Sequence, residues 1–327
     1  WSLYDYDRDT NPELSKIVGV TSFCHVLTES NTTHKSVPML LSPVSAQNFD
    51  SIYYRKSVIT AFKEAGFQTA FFSNQRYNHS FIDFFGMEAD TYDFIKEDSQ
   101  DSQYNPSDDE LLMLVEKELE KGNRKQFIVL HTYGSHFNYR ERYPETAAFF
   151  LPDFPVDAEV KYKDNLMNAY DNSIRYTDNF LARIIHLLKQ QQVDASMLYT
   201  SDHGEDIFDD GRHLFLHASP VPSYYQLHVP LLLWTSDSYR EEYPGIEKAA
   251  SMNRQKNISS SISFFQTMME LAGIETPYRN DSLSVTSPLY TEKSRVYLND
   301  HNEPRPLDDI GMRKEDFEML KKRGIDA

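Results

Sequence analysis

Apolar positions along this chain alternate between short β-branched runs and longer stretches spaced at the helical period. Residues 17–27, 68–72, 126–132, 195–200 and 229–234 form short apolar runs closed by polar or turn-forming residues, and each predicts a strand. Residues 57–65, 108–121, 162–192 and 258–272 carry apolar side chains three and four apart and predict helices. The longest of these sets Leu166, Ala169, Tyr170, Ile174, Tyr176, Phe180, Ile184 and Leu188 near one face. Gly66, Gly122 and Gly273 stand where three of the helices should stop, and Ser107 precedes an acidic first turn as an N-cap. Ser36-Val37-Pro38-Met39-Leu40-Leu41 predicts the start of another helix, with Pro38 in its first turn. Residues 76–93 read as an aromatic loop, 99–109 as a polar connector, and 137–160, with three prolines, as a structured surface loop. A last strand is expected at 296–298, followed by a charged terminal segment, 304–327, with one short helix.

Strands alternating with helices imply an α/β fold, here a three-layer α/β/α arrangement on a mostly parallel central sheet. No internal repeat, low-complexity tract or linker calls for a division, so 1–327 is expected to be a single domain.

Composition narrows the function. The chain has 327 residues, is 40% hydrophobic and carries 21 Tyr and 21 Phe, enough to bury a core and to exclude general disorder. A formal charge of −17 argues against nucleic acid and against flat docking on an anionic membrane. The basic run Lys321-Lys322-Arg323 reads as a solvated helix end. Cys24 is the only cysteine, so no intrachain disulfide can form. No apolar run is long enough for a transmembrane helix, and neither a signal peptide nor an initiating Met is present. An opening at Trp1-Ser2-Leu3-Tyr4 reads as a soluble, monomeric piece of something longer.

In parallel α/β sheets, chemistry collects beyond the carboxyl ends of the strands. There the chain places Thr32 and Thr33, then His136, then Ser201-Asp202-His203-Gly204-Glu205, with His217 and His228 beside the strand at 229–234. Thr33 precedes a helix N-terminus, where N–H groups favour bound anions. Asp202 with His203, and a hydroxyl or water completing the set, suit Zn²⁺ acting as a Lewis acid on a phosphoryl or sulfuryl oxygen. Gly204 is expected to let the backbone turn sharply so that both ligands face one point. Taken singly, Thr33 is a helix cap, and His136, His217 and His228 are hydrogen-bonded loop histidines. Asp206 reads as a solvated carboxylate. The grouping at one sheet edge is what points to a site.

These residues fall into motifs that resemble the periplasmic catalytic domain of phosphoethanolamine transferases, lipid A-modifying enzymes of the alkaline phosphatase and sulfatase superfamily. Trp1-Ser2-Leu3-Tyr4 with Tyr6, Arg8, Thr10 and Pro12 looks like the family's SLYGY-x-R-x-T-x-P segment. Thr33-x-x-Ser36-Val37-Pro38 is similar to its nucleophile motif, and His131 with Gly134-Ser135-His136 and Arg142-Tyr143-Pro144 to its H-x-x-G-S-H…R-Y-P stretch. Tyr170-Asp171-Asn172 through Tyr176-Thr177-Asp178, Ser201 to Glu205, Leu216-His217 and His228-Val229-Pro230 complete the series up to about residue 275.

The resemblance implies a sulfatase-like fold, Thr33 as the nucleophile that becomes phosphoethanolamine-modified (Thr32 being the runner-up), and Thr33, Asp202 and His203 around one zinc ion or two. It implies that His136, His217 and His228 bind the phosphoryl group, protonate the leaving group or hold a second zinc, and that Glu205 contacts substrate. The donor would be phosphatidylethanolamine and the acceptor lipid A or another envelope glycan, at the periplasmic face of the bacterial inner membrane. A membrane part and a further zinc-ligating glutamate would lie upstream of Trp1. Asp5 stands where the family has Gly, Ala218 where a glycine commonly follows the histidine, and a single cysteine excludes the family's usual disulfides. A phosphoglycerol transferase, a phosphodiesterase or sulfatase-type hydrolase, and a non-catalytic envelope domain are the alternatives. Residues 24–28 do not fit the C/S-x-P-x-R stretch that sulfatases need.

Overall fold

The computed structural model describes residues 1–96, 105–122 and 125–326. The connector expected at 99–109 therefore lies partly outside the described residues. The chain divides into two compact units, one built from Trp1–Val20, Gly66–Val193 and Ile207–Leu216, the other from Thr21–Ala65, Asp194–Asp206 and His217–Ala327.

The first unit is built on three parallel strands in the order Thr91–Phe94, Gln68–Ser73, Gln126–His131, with Ala70 opposite both Thr91 and Ile128. The middle strand is buried from Thr69 to Ser73, which is why its sequence runs on without polar alternation. Thr91–Phe94 and the helix Phe81–Gly86 both fall in the stretch expected to be loop. A helix of two turns is too short to display a period, and its Gly86 is required by packing: a Cβ there would meet the Phe71 ring at 2.5 Å. The helix Asp109–Leu119 buries Leu111, Leu112, Val115 and Leu119, and its acidic first turn complements the helix dipole.

The long helix Lys163–Gln190 buries Leu166, Ala169, Ile174, Phe180, Leu181, Ile184 and Ile185. Two buried acids on it anchor the start of the chain. Asp171 accepts from the Tyr6 hydroxyl at 2.9 Å and pairs with Arg8 at 2.8 Å. Asp178 accepts from the Glu13 and Leu14 amides at 2.8 and 3.2 Å. The Asn172 side chain accepts from the amides of Phe149 and Phe150 and donates to the Phe150 carbonyl, so the proline-rich loop is held in one shape.

In the second unit, Leu231–Thr235 runs antiparallel to Ser196–Thr200, with Ser196 opposite Thr235, and on its other side lies the short strand that contributes Thr21 and Ser22 to this unit. His25–Leu27 runs parallel to Asn257–Ser259 and makes a bridge from Leu27 to His228. The strand expected over 17–27 is thus two short strands, and the helix expected from 258 begins at Ser260 after its own strand. One core gathers Phe23, Val26, Leu231, Leu233, Ile258 and Leu271. A second gathers Leu27, Tyr224, Leu227, Tyr297, Leu307, Leu320 and Ile325, so apolar positions hidden among the charges of 304–327 are part of the packed interior. Among the described residues, no helix is long and apolar enough to cross a membrane.

Candidate functional site

The helix Thr33–Leu40 starts three residues before its expected first residue. Thr32 is extended (φ −135°, ψ 129°), and its carbonyl accepts from the amides of Lys35 and Ser36, both at 3.0 Å. Thr33 is therefore the first helical residue, beside amides without intrahelical partners. Pro38 consequently stands inside the helix and not in its first turn; its ring removes only the bond to His34. Thr32 is buried with its hydroxyl 3.2 Å from the Ser30 hydroxyl, whereas the half-buried Thr33 turns Oγ1 to within 3.1 Å of His203 Nε2.

The Ser196–Thr200 strand delivers Asp202 and His203. His203 Nδ1 lies 3.0 Å from the Gly204 carbonyl, which can only accept, so Nδ1 is the donor there and Nε2 faces Thr33 Oγ1 at 3.1 Å and Asp202 Oδ2 at 3.5 Å. Ser36 donates to Asp202 Oδ2 at 3.2 Å and to the Thr32 carbonyl at 2.9 Å. Gly204 does not have the left-handed backbone expected of a sharp turn. It is needed because a Cβ would come within 2.1 Å of the Tyr225 carbonyl oxygen, where the Gly204 amide also donates to Gln226 at 2.9 Å.

Glu205 is turned inward and meets His217 Nδ1 at 2.9 Å. The rings of His217 and His203 lie 4.0 Å apart between centroids, inclined by 32°. Both neighbours of His217, Leu216 (φ 66°) and Ala218 (φ 61°), have left-handed backbones, and the Ala218 amide donates to the Asn31 carbonyl at 3.2 Å. The left-handed Ala218 gives a physical reason for a glycine at that position.

His228 packs face to face on Tyr224, whose hydroxyl lies 2.8 Å from Nδ1, while Nε2 lies 3.3 Å from the Cys24 carbonyl. Burial pushes its pKa down to about 4, so the ring is neutral at neutral pH. A phosphoryl oxygen could meet it only by displacing one of those bonds. His136 belongs to the first unit, where its Nδ1 lies 2.6 Å from the Phe137 carbonyl and its ring meets the edge of Tyr133. The structure thus brings Thr33, Asp202, His203, Glu205 and His217 together within the second unit and sets His228 on the Tyr224 side of the same unit.

Sequence reasoning missed the polar network behind these residues. The buried Gln226 donates to Asp206 at 2.6 Å and to Ser219 at 2.8 Å, and accepts from Asn31 at 2.6 Å. Asp206 is accordingly buried, not solvated. The signal available was Ser223-x-x-Gln226, a capping-box spacing, and Ser223 does accept from the Gln226 amide. The last strand, Val296–Leu298, and Asn299 after it reach the stretch around Thr33: Tyr297 donates to Asn31 at 2.7 Å, the Leu298 amide to the Glu29 carbonyl at 2.8 Å, and Lys35 to the Asn299 carbonyl at 2.6 Å.

A carboxylate oxygen, an imidazole nitrogen and a hydroxyl are a donor set that fits zinc, with one protein ligand fewer than a closed structural site. Among the described residues no group of three or more His, Cys, Asp or Glu side chains could hold a metal.

A family model described as Sulfatase matches residues 1–274. The chain is 29% identical over 306 residues to phosphoethanolamine transferase EptA of Salmonella typhimurium, covering 88% of this chain and 53% of that protein. To phosphoethanolamine transferase EptC of Escherichia coli it is 25% identical over 318 residues, covering 94% of this chain and 54% of that protein. It therefore spans about half the length of these curated relatives. The crystal structure of the C-terminal periplasmic domain of Escherichia coli EptC in complex with zinc shares the fold, with a TM-score of 0.84 at 24% identity over 95% of this chain and 89% of that one.

Proposed function

The chain belongs to the sulfatase family, and on that premise we propose that residues 1–327 are the catalytic domain of a zinc-dependent phosphoethanolamine transferase. The observation that carries this reading is Thr33 Oγ1, first in its helix, 3.1 Å from His203 Nε2 and beside Asp202. The likeness to named phosphoethanolamine transferases supports the same group as cargo.

Thr33 attacks the phosphorus of phosphatidylethanolamine, the phosphorus–oxygen bond to diacylglycerol breaks, and phosphoethanolamine remains on the threonine. A phosphate or hydroxyl of lipid A or another envelope glycan then takes the group and frees Thr33. The exposed amides of the helix start face the phosphoryl oxygens, and His217 gives a proton to the leaving oxygen and recovers one from the acceptor. His228 binds the phosphoryl group by exchanging its bond to the Cys24 carbonyl for one to a phosphoryl oxygen. Asp202, His203 and Thr33 would hold zinc, which supplies Lewis-acid stabilisation of the oxygen charge. The whole protein works as a monomer at the periplasmic face of the inner membrane, held there by a region outside this chain.

Intact-protein mass spectrometry of the full-length protein, incubated with phosphatidylethanolamine, tests this. A phosphoethanolamine adduct should form and be absent from Thr33→Ala. An adduct that persists in Thr33→Ala overturns the assignment, and preferential use of phosphatidylglycerol as donor overturns the cargo.

A further inference from the structure

We infer that Glu205 is a positioning residue for His217, fixing which ring nitrogen meets the reactants, and is not a substrate contact. The inference rests on the reading above only for the reaction it serves; the geometry stands apart from it.

Glu205 is almost wholly turned away from solvent, its side chain 7% exposed, and its Oε1 lies 2.9 Å from His217 Nδ1. An ionised carboxylate only accepts, so Nδ1 must carry the proton, and chemistry at this ring runs through Nε2. The same relation orients imidazoles behind metals and in catalytic triads. What surrounds the pair points to a ring whose placement is enforced. Left-handed backbone at Leu216 and Ala218 brackets His217, a costly conformation for residues with a Cβ and one that persists only where the surroundings over-determine it. The Ala218 amide ties the turn to Asn31, two residues before Thr33. The His203 ring lies 4.0 Å from that of His217 and limits its tilt.

The proton balance follows. As Thr33 attacks and the bond from phosphorus to the diacylglycerol oxygen breaks, the free Nε2 of His217 takes the threonine proton and passes it to that oxygen. The ring stays protonated at Nδ1 on Glu205. When the acceptor hydroxyl attacks phosphothreonine, its proton passes to Nε2 and from there to the departing Thr33 oxygen, which restores the hydroxyl that began the cycle. A carboxylate behind the ring holds both states in one orientation, so its loss should appear in kcat and not in donor binding.

Two measurements on the full-length protein test this. The first is steady-state diacylglycerol release from phosphatidylethanolamine in detergent micelles for wild type, Glu205→Ala, Glu205→Gln and Glu205→Asp. Glu205→Ala should lower kcat by about ten- to a hundredfold, the range for outer partners of active-site histidines, with KM within about twofold. Glu205→Asp should recover part of the loss. The second is nitrogen NMR of labelled histidine, in which His217 should be the Nδ1–H tautomer in wild type and shift toward Nε2–H in Glu205→Ala. If Glu205→Ala does not fold, Glu205→Gln, nearly isosteric and still an acceptor, carries both measurements with a smaller expected loss. A raised KM at unchanged kcat makes Glu205 a substrate contact and overturns the inference. So does an unchanged His217 tautomer. If wild type releases no diacylglycerol the proposed reaction fails, while the tautomer measurement still decides the role of Glu205.

Discussion

Ser36 Oγ donates to Asp202 Oδ2 at 3.2 Å, one helical turn beyond Thr33. The hydroxyl that leads the helix and the carboxylate that follows the strand are therefore held to each other by a side chain of the helix itself. Because Ser36 also donates to the Thr32 carbonyl, its hydroxyl must divide between the backbone and the acid, and it pins the acid to the helix start.

Removing that hydroxyl should loosen Asp202 more than it harms the fold. In Ser36→Ala, zinc affinity is expected to fall by about tenfold or more, in line with other groups that orient metal ligands. Stability should fall by about 1 kcal/mol, the value of one such hydrogen bond. Zinc titration and urea denaturation of the same preparation check the two effects; equal zinc affinity in both proteins would contradict the first.

Ala218 should be a site of easy stabilisation. Its φ of 61° is left-handed, which costs a residue with a Cβ roughly 1–2 kcal/mol. Glycine removes that strain but adds about 0.4–1 kcal/mol of unfolded-chain entropy. The net expectation for Ala218→Gly is a gain of about 0.5–1 kcal/mol, read as a higher urea midpoint at constant slope. A lower midpoint would mean that the turn tolerates the alanine without strain.

Glu29 should make stability depend on pH. It is 2% exposed, and Oε2 accepts from the Ala46 amide at 2.7 Å. Burial raises its pKa from 4.5 to about 7, because nothing offsets the cost of a dehydrated charge fully; the Ala46 amide and Ser259 only moderate it. An acid whose folded pKa is raised binds its proton more tightly when folded. Its contribution is therefore intact below the unfolded value, and stability falls as pH rises from about 4.5 to 7, by about 3 kcal/mol in all. Glu29→Gln should flatten that part of the profile and melt higher than wild type at pH 8. An equal stability difference between pH 5 and 8 in wild type and Glu29→Gln would show that Glu29 titrates alike in both states.

Much of the candidate site was legible because its parts lie at sequence-local signals. Thr33, His136 and Asp202 each follow a strand that its apolar run announces, and the long helix was readable nearly to its ends. Gly204 was legible as special, but for another reason than the one that applies: no local pattern reports that a carbonyl 21 residues later will approach it. Gln226 and Asp206 look like surface residues in sequence, and only their burial together makes them a hub between Asn31, two residues before Thr33, and the Asp-His turn. The terminal segment read as charged, since its buried positions Leu307, Met312, Leu320 and Ile325 are too widely spaced to show a period.

What the residues by themselves determined is the order of the main strands and the longer helices, the α/β class and the chemical type of each group at the strand ends. Backbone propensity and hydrophobic period act over a few neighbours, so these are written locally. Only the tertiary structure decided which nitrogen of each histidine faces the site, that Thr33 and not Thr32 turns toward His203, and that Glu205 meets His217. Those outcomes depend on packing between segments 170 residues apart, as for Thr33 and His203, where burial and hydrogen-bond geometry outweigh any preference a short stretch can express.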